Sequence, residues 1–174
     1  MSEVGRISST NSAMTSRLNF VVLCALGALF SSCAPYQLPE GYTGPTASIR
    51  STGKSVNSVK AEGYYILEVN GKFANHSPMG TARGAGMGVV IKEQTLQVPS
   101  EPLNLTLSGG NIYAADGVAM ADSMIGGNHQ VSGDVSFTPK PNGDYSVTGV
   151  TGKERCAVWI VDNKTGKVVS SLVE

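Results

Sequence analysis

Hydrophobic and polar residues alternate along much of the chain after residue 45. In LNLTLSG, Leu103, Leu105 and Leu107 alternate with Asn104, Thr106 and Ser108, a strict period of two that predicts a strand with one buried and one wet face. Residues 130–138 (QVSGDVSFT) repeat the pattern through Val131, Val135 and Phe137, with Gly133 placed where a bulge could sit. Residues 63–70 (GYYILEVN) are rich in aromatic and β-branched side chains, and Asn70-Gly71 directly after them signals a tight turn. Thr46–Arg50 and residues 87–96, 145–150, 156–161 and 167–173 supply further strands, separated by the breakers VPSEP, PKPNGD and NKTG. Of these, 156–161 is apolar on both faces, as a central strand is, which makes Trp159 a core anchor. Residues 112–125 (IYAADGVAMADSMI) fit a strand, a loop and a helical turn equally. Eight or so short strands predict an all-β sandwich or small barrel.

The N-terminal quarter follows another pattern. Residues 18–30 (LNFVVLCALGALF) are thirteen almost uninterrupted apolar residues, preceded by Arg17 and followed by Ser31, Ser32 and Cys33. A bilayer-crossing helix needs about 20 residues, so the run has the length of a secretory signal's apolar core instead. The stretch ending in Cys33 resembles a bacterial lipobox, with Phe30 where leucine is usual. The resemblance implies a signal peptide over 1–32 and a diacylglycerol on the Cys33 thiol. Ala34, in place of an aspartate, implies the outer membrane. Met14 gives a better-proportioned signal than Met1 and is expected to be the initiator. Residues 33–44, with Pro35, Pro39 and Gly41, are expected to form a lipidated tether ahead of a domain over 45–174.

Composition narrows the function. Thirteen basic and thirteen acidic residues balance and form no run, so there is no electrostatic footprint for nucleic acid. Of the three cysteines, Cys24 leaves with the signal and Cys33 carries lipid, so Cys156 has no partner for an internal disulfide. Cys156 lies in the apolar run RCAVWIV and reads as a structural thiol.

The succession EVNGK, VPSEPLNLTLSG, VSFTPKPNGDYSV and AVWIVDNKTGKVV resembles a family of uncharacterised bacterial lipoproteins, and the PEGA-type and transthyretin-like modules of cell envelopes. That resemblance covers most of the chain from Gly44 onward. It implies a single immunoglobulin-like β-sandwich of about seven to nine strands. It implies no activity, because a fold does not specify one.

Candidate chemistry is sparse. STGKS (51–55) is similar to the end of a phosphate-binding loop, but Ser48 stands where its first glycine belongs. GAGMG (84–88) lacks the third glycine of a dinucleotide loop, since Val89 occupies it. Both are expected to be flexible loops. There is no G-x-S-x-G elbow and no H-E-x-x-H pair. His76 and His129, with Asp116, Asp122 and the serines, could form a hydrolase site only through folding. His76, Met79 and Met87 in one segment, and Met120 and Met124 in another, offer ligands suited to Cu(I), so a soft-metal carrier is a second alternative. Tyr64 and Tyr65 must point to opposite sides of a strand, and Tyr113 is a candidate surface aromatic. The reading that fits best is an outer-membrane lipoprotein that faces the periplasm or the cell surface. It is held to the membrane through Cys33 and acts as a non-catalytic binding or structural module for an envelope protein. It has no cofactor, metal site or nucleic-acid partner.

Overall fold

The alternating leucines face inward. Leu103, Leu105 and Leu107 are fully buried on a strand whose polar neighbours face water. The computed structural model of the chain describes residues 35–79 and 88–174. The expected signal peptide, Met14, the lipidation site Cys33, Met87 and most of GAGMG lie outside the described residues. From Pro35 onward the chain forms one compact body.

Nine strands and one helix are formed among the described residues: β1 (Thr46–Arg50), β2 (Thr52–Ser55), β3 (Lys60–Val69), β4 (Lys72–Phe73), β5 (Thr95–Pro99), β6 (Leu103–Tyr113), α1 (Asp116–Met124), β7 (Gln130–Phe137), β8 (Asp144–Thr151) and β9 (Cys156–Asp162). They build two sheets, ordered β5-β1-β8-β9 and β2-β3-β6-β7, with β4 paired to β3. All pairs are antiparallel except β1 with β8. The sheets pack face to face as an all-β sandwich. Ile49, Ile66, Val69, Val98, Leu105, Val147, Val158 and Ile160 are sealed between them, and each contributes about 1.5–3 kcal/mol by leaving water.

Several expectations change in register. Residues 88–94 form only an isolated bridge at Ile91, and the strand appears at Thr95–Pro99, where β1 offers an edge to pair with. STGKS is not a loop. Ser51 is a buried corner at which the chain passes from one sheet to the other, and TGKS is β2. The corner holds because Ser51 N–H donates to Gln94 O at 2.8 Å, while Gln94 N–H donates to Ser51 Oγ at 2.8 Å. Gly133 makes no bulge: β7 pairs with β6 in unbroken register, and the irregularity falls in β3, between Ile66 and Glu68. Space at Gly133 is taken by Val173 instead. β9 ends its sheet, and its outer edge is covered by backbone pairs of Val158 with Val173 and of Val161 with Val168. Trp159 is only half-buried, because Val158 and Ile160 take the inward positions of β9. The ambiguous stretch 112–125 divides into the end of β6 and the helix α1.

Strand direction gives the sandwich two poles. At one, β3 ends in the Asn70-Gly71 turn, whose residues both take the positive φ (50° and 75°) that such a tight turn needs. The segment expected to be a tether also arrives here. Tyr36 N–H donates to Phe73 O at 2.6 Å, and its ring packs on the core. At the other pole β3 begins at Lys60, opposite Tyr113 at the end of β6. The two poles are ~26 Å apart, the length of eight strand residues from Lys60 to Glu68.

Tyr64 spans the gap between the sheets, and its ring lies against Gly109 of β6 and Gly149 of β8. A Cβ at position 149 would come within 2.6 Å of the Tyr64 ring and closer still to Ala157 O. Gly149→Val is therefore expected to cost about 2–3 kcal/mol in urea unfolding. Gly117→Ala, in open space on α1, should cost nothing.

Candidate functional site

The pole where β3 begins carries a cluster of charged and polar groups centred on Lys60 and Asp122. Asn57 folds the turn before β3 by accepting Val59 N–H at 2.9 Å and Lys60 N–H at 2.8 Å on its Oδ1. This aims Lys60 across the end of the sheet. Its ammonium donates to Asp122 Oδ2 at 2.6 Å and to Gly127 O at 3.1 Å, and sits 5.6 Å from the centre of the Tyr113 ring. Tyr113 OH donates to the same Asp122 oxygen at 2.6 Å, and Asn111 Nδ2 donates to Gly127 O at 2.7 Å. Asp122 is held below the usual carboxylate range first by the Lys60 hydrogen bond and then by that of Tyr113. The Tyr113 hydroxyl is pushed up to about 12, chiefly by burial and then by its bond to Asp122.

This lock is what holds α1. The nine-residue helix has no side-chain N-cap, no basic residue in its last turn and no buried residue. A helix of this length is marginal alone, and the favourable position of Asp116 in its first turn adds only a few tenths of a kcal/mol. Val118 and Ala119 are half-buried on its inner side, whereas Met120, Met124 and, just past the helix, Ile125 are 64%, 77% and 83% exposed. Val56 and Val59 on the neighbouring turn, and Val90, are exposed as well. Between the helix and the 57–60 turn runs a groove of about 380 Å³, lined by Val59, Tyr113, Val118, Ala121 and Ile125, with the Lys60–Asp122 pair in it. Its walls are mostly apolar, so it suits a hydrophobic side chain better than a charged metabolite.

The other candidates are placed as follows. His76 is 1% exposed and braces the sheets. Ile66 N–H donates to its Nδ1 at 3.1 Å, and its Nε2 faces Ile49 O and Gln94 O at 3.0 Å each. Carbonyls only accept, so Nε2 carries the proton and both nitrogens are engaged, leaving none for a metal. Met79 packs on the small cluster of Ala61, Val89, Ile112 and Ala114, far in role from the exposed Met120 and Met124. The Lys60 and Tyr113 bonds both fall on Asp122 Oδ2, and no hydrogen bond joins Asp122 to a serine or histidine in the described residues. Tyr113 is buried, not a surface aromatic. Tyr64 is buried and Tyr65 half-buried, as strand geometry requires. The Tyr64 hydroxyl, raised to about 12 by burial, meets Glu62 at 3.1 Å and Thr151 at 3.0 Å. Cys156 is half-buried beside them, and burial raises its thiol. Lys60 and Asn57 were not singled out by sequence reasoning. Lys60 is 62 residues from Asp122, and only folding joins them.

Among the described residues no helix is long and apolar enough to cross a membrane. Compared with protein-family models, curated proteins and solved structures, the chain matches none.

Two outcomes are expected. Lys60→Met should speed amide exchange across Asp116–Met124 at least ~10-fold while leaving β6 unchanged, because the helix has no fully buried residue to hold it. Burial lowers His76 to about 4 from 6.5, so it is neutral in the fold. The unfolded chain takes up its proton first as pH falls, so this stability is complete above pH 6.5 and is lost towards pH 4, up to about 3 kcal/mol. Urea midpoints across that window should fall for the native protein and stay flatter for His76→Gln.

Proposed function

We propose that this protein is a lipoprotein of the bacterial outer membrane: an immunoglobulin-like sandwich, anchored by lipid on Cys33, that binds an envelope protein through the pole bearing α1. One observation carries the reading. The helix is fastened by a polar lock while Met120, Met124 and Ile125 face outward, at the pole away from where the N-terminal segment joins the domain. A fold gains nothing by docking a helix with its apolar residues outward, and an ordered apolar patch of this kind marks an interaction surface. Methionine suits the task, because its unbranched, polarisable side chain adapts to a partner's contour. Anchoring adds to this by confining the domain to two dimensions beside its partner, which raises the effective concentration without new contacts.

A photo-reactive phenylalanine analogue placed at Met124, in cells, should give one discrete cross-linked product. The product should vanish when Cys33→Ser removes the anchor. The same analogue at Ser136, exposed on β7, should give none. Equal products from both positions, or none from Met124, would overturn the reading.

A further inference from the structure

The N-terminal segment is fixed to the domain at Tyr36. Tyr36 is bonded to Phe73 O and packed on the core, and it lies only three residue steps from Cys33. Three residues reach no more than ~11 Å even when fully extended. A lipid on Cys33 therefore leaves the pole containing Phe73 no room to stand away from the bilayer. The α1 pole, ~26 Å further along β3, lies beyond reach of the same leash unless the domain lies on its side.

Lying on the β6–β7 face has little to recommend it. The outward positions of β6 and β7 are polar, with Asn104, Thr106, Ser132, Asp134 and Ser136 facing out. Phe73, by contrast, stands out from the tip of the β3–β4 hairpin at 55% exposure, beside Lys72. The acidic groups of this pole, Glu40, Glu68, Glu101, Asp144 and Asp162, are not outnumbered by Lys72, Lys140, Lys164 and Lys167. Surface charge therefore adds no net attraction to anionic lipid, and any hold must come from the acyl chains and from apolar insertion.

We propose that the pole carrying the β3–β4 turn is a membrane-contact surface, with Phe73 seated at the headgroup–acyl boundary and Lys72 reaching out to the phosphates. This rests on the lipid anchor proposed above. The bilayer is its occupant, and the domain stands upright with α1 directed away from it. An aromatic ring favours this interfacial depth, and the long stem of lysine lets its ammonium stay among the headgroups. The leash and the aromatic tip then act together: the acyl chains bring the pole down, and Phe73 restricts tilting about Cys33.

The test uses the processed protein isolated from membranes, carrying Trp159→Phe so that an introduced tryptophan reports alone. Mass spectrometry first establishes acylation of Cys33. The protein is then reconstituted into phosphatidylethanolamine–phosphatidylglycerol vesicles with brominated acyl chains, which quench tryptophan by contact. Phe73→Trp should be quenched at least about fivefold more than Met124→Trp, the depth expected of a side chain at the interface. If Cys33 is acylated and neither position is quenched, or Met124→Trp is quenched more, the membrane-contact surface is refuted while the anchor stands. If Cys33 carries no lipid, both readings fall together.

Discussion

A single buried imidazole joins the two sheets by directional bonds. His76 receives Ile66 N–H from one sheet and meets Ile49 O of the other, together with Gln94 O at the approach to β5. The apolar interior around it is non-directional and would tolerate sliding of one sheet over the other. Hydrogen bonds of fixed geometry do not. His76 also satisfies the Ile66 amide beside the irregularity of β3, where neither β2 nor β4 pairs. A buried amide without a partner there would cost about 1–3 kcal/mol. Two further polar links reinforce the alignment: Thr52 donates to Val147 O at 2.7 Å, and Tyr64 meets Thr151. The sandwich is thus apolar in its middle and pinned by polar bridges around it.

Most of the framework was legible from alternation. Leu103, Leu105, Leu107, Val135, Phe137, Tyr145 and Val147 alternate in sequence because each is buried from one side only. What could not be read has physical reasons. α1 buries no residue fully and its half-buried side mixes Ala115, Val118 and Ala119 with Asp122, so its sequence carries only a weak stripe for a period of 3.6 to reveal. β2 is four residues of edge strand with polar and small side chains, which looks like a loop until β3 pairs with it. The run 87–96 is apolar enough for a strand, yet strands form only where an edge is available, and β1 offers one to Thr95–Pro99 alone. His76 looks like a loop histidine because its partners are 10, 18 and 27 residues away. The lock on α1 was equally hidden, since no local pattern joins Lys60 to Asp122.

The two poles differ in kind. One is made of turns and the arriving N-terminal segment, with Phe73 at its tip. The other is a helix and a groove fastened by one charged pair and a tyrosine. Between them the outer face of β6 and β7 is polar, whereas the β8–β9 side exposes Val150, Val168, Val169 and Leu172. The edges of the β5-β1-β8-β9 sheet are managed: the C-terminal segment covers β9, and Pro99 closes the short β5.

The last strand-like segment carries a mechanical consequence. Residues 168–173 run up the side of β9 and finish at Glu174, paired with Arg155 at the α1 pole, while the chain joins the domain beside Phe73 at the other. A pull between Tyr36 and Glu174 acts along the strands. It loads their hydrogen bonds in parallel, as shear, and does not peel them open one at a time. A module built this way resists tension between a fixed base and a load at its far end, and yields more easily to a force applied across its sheets.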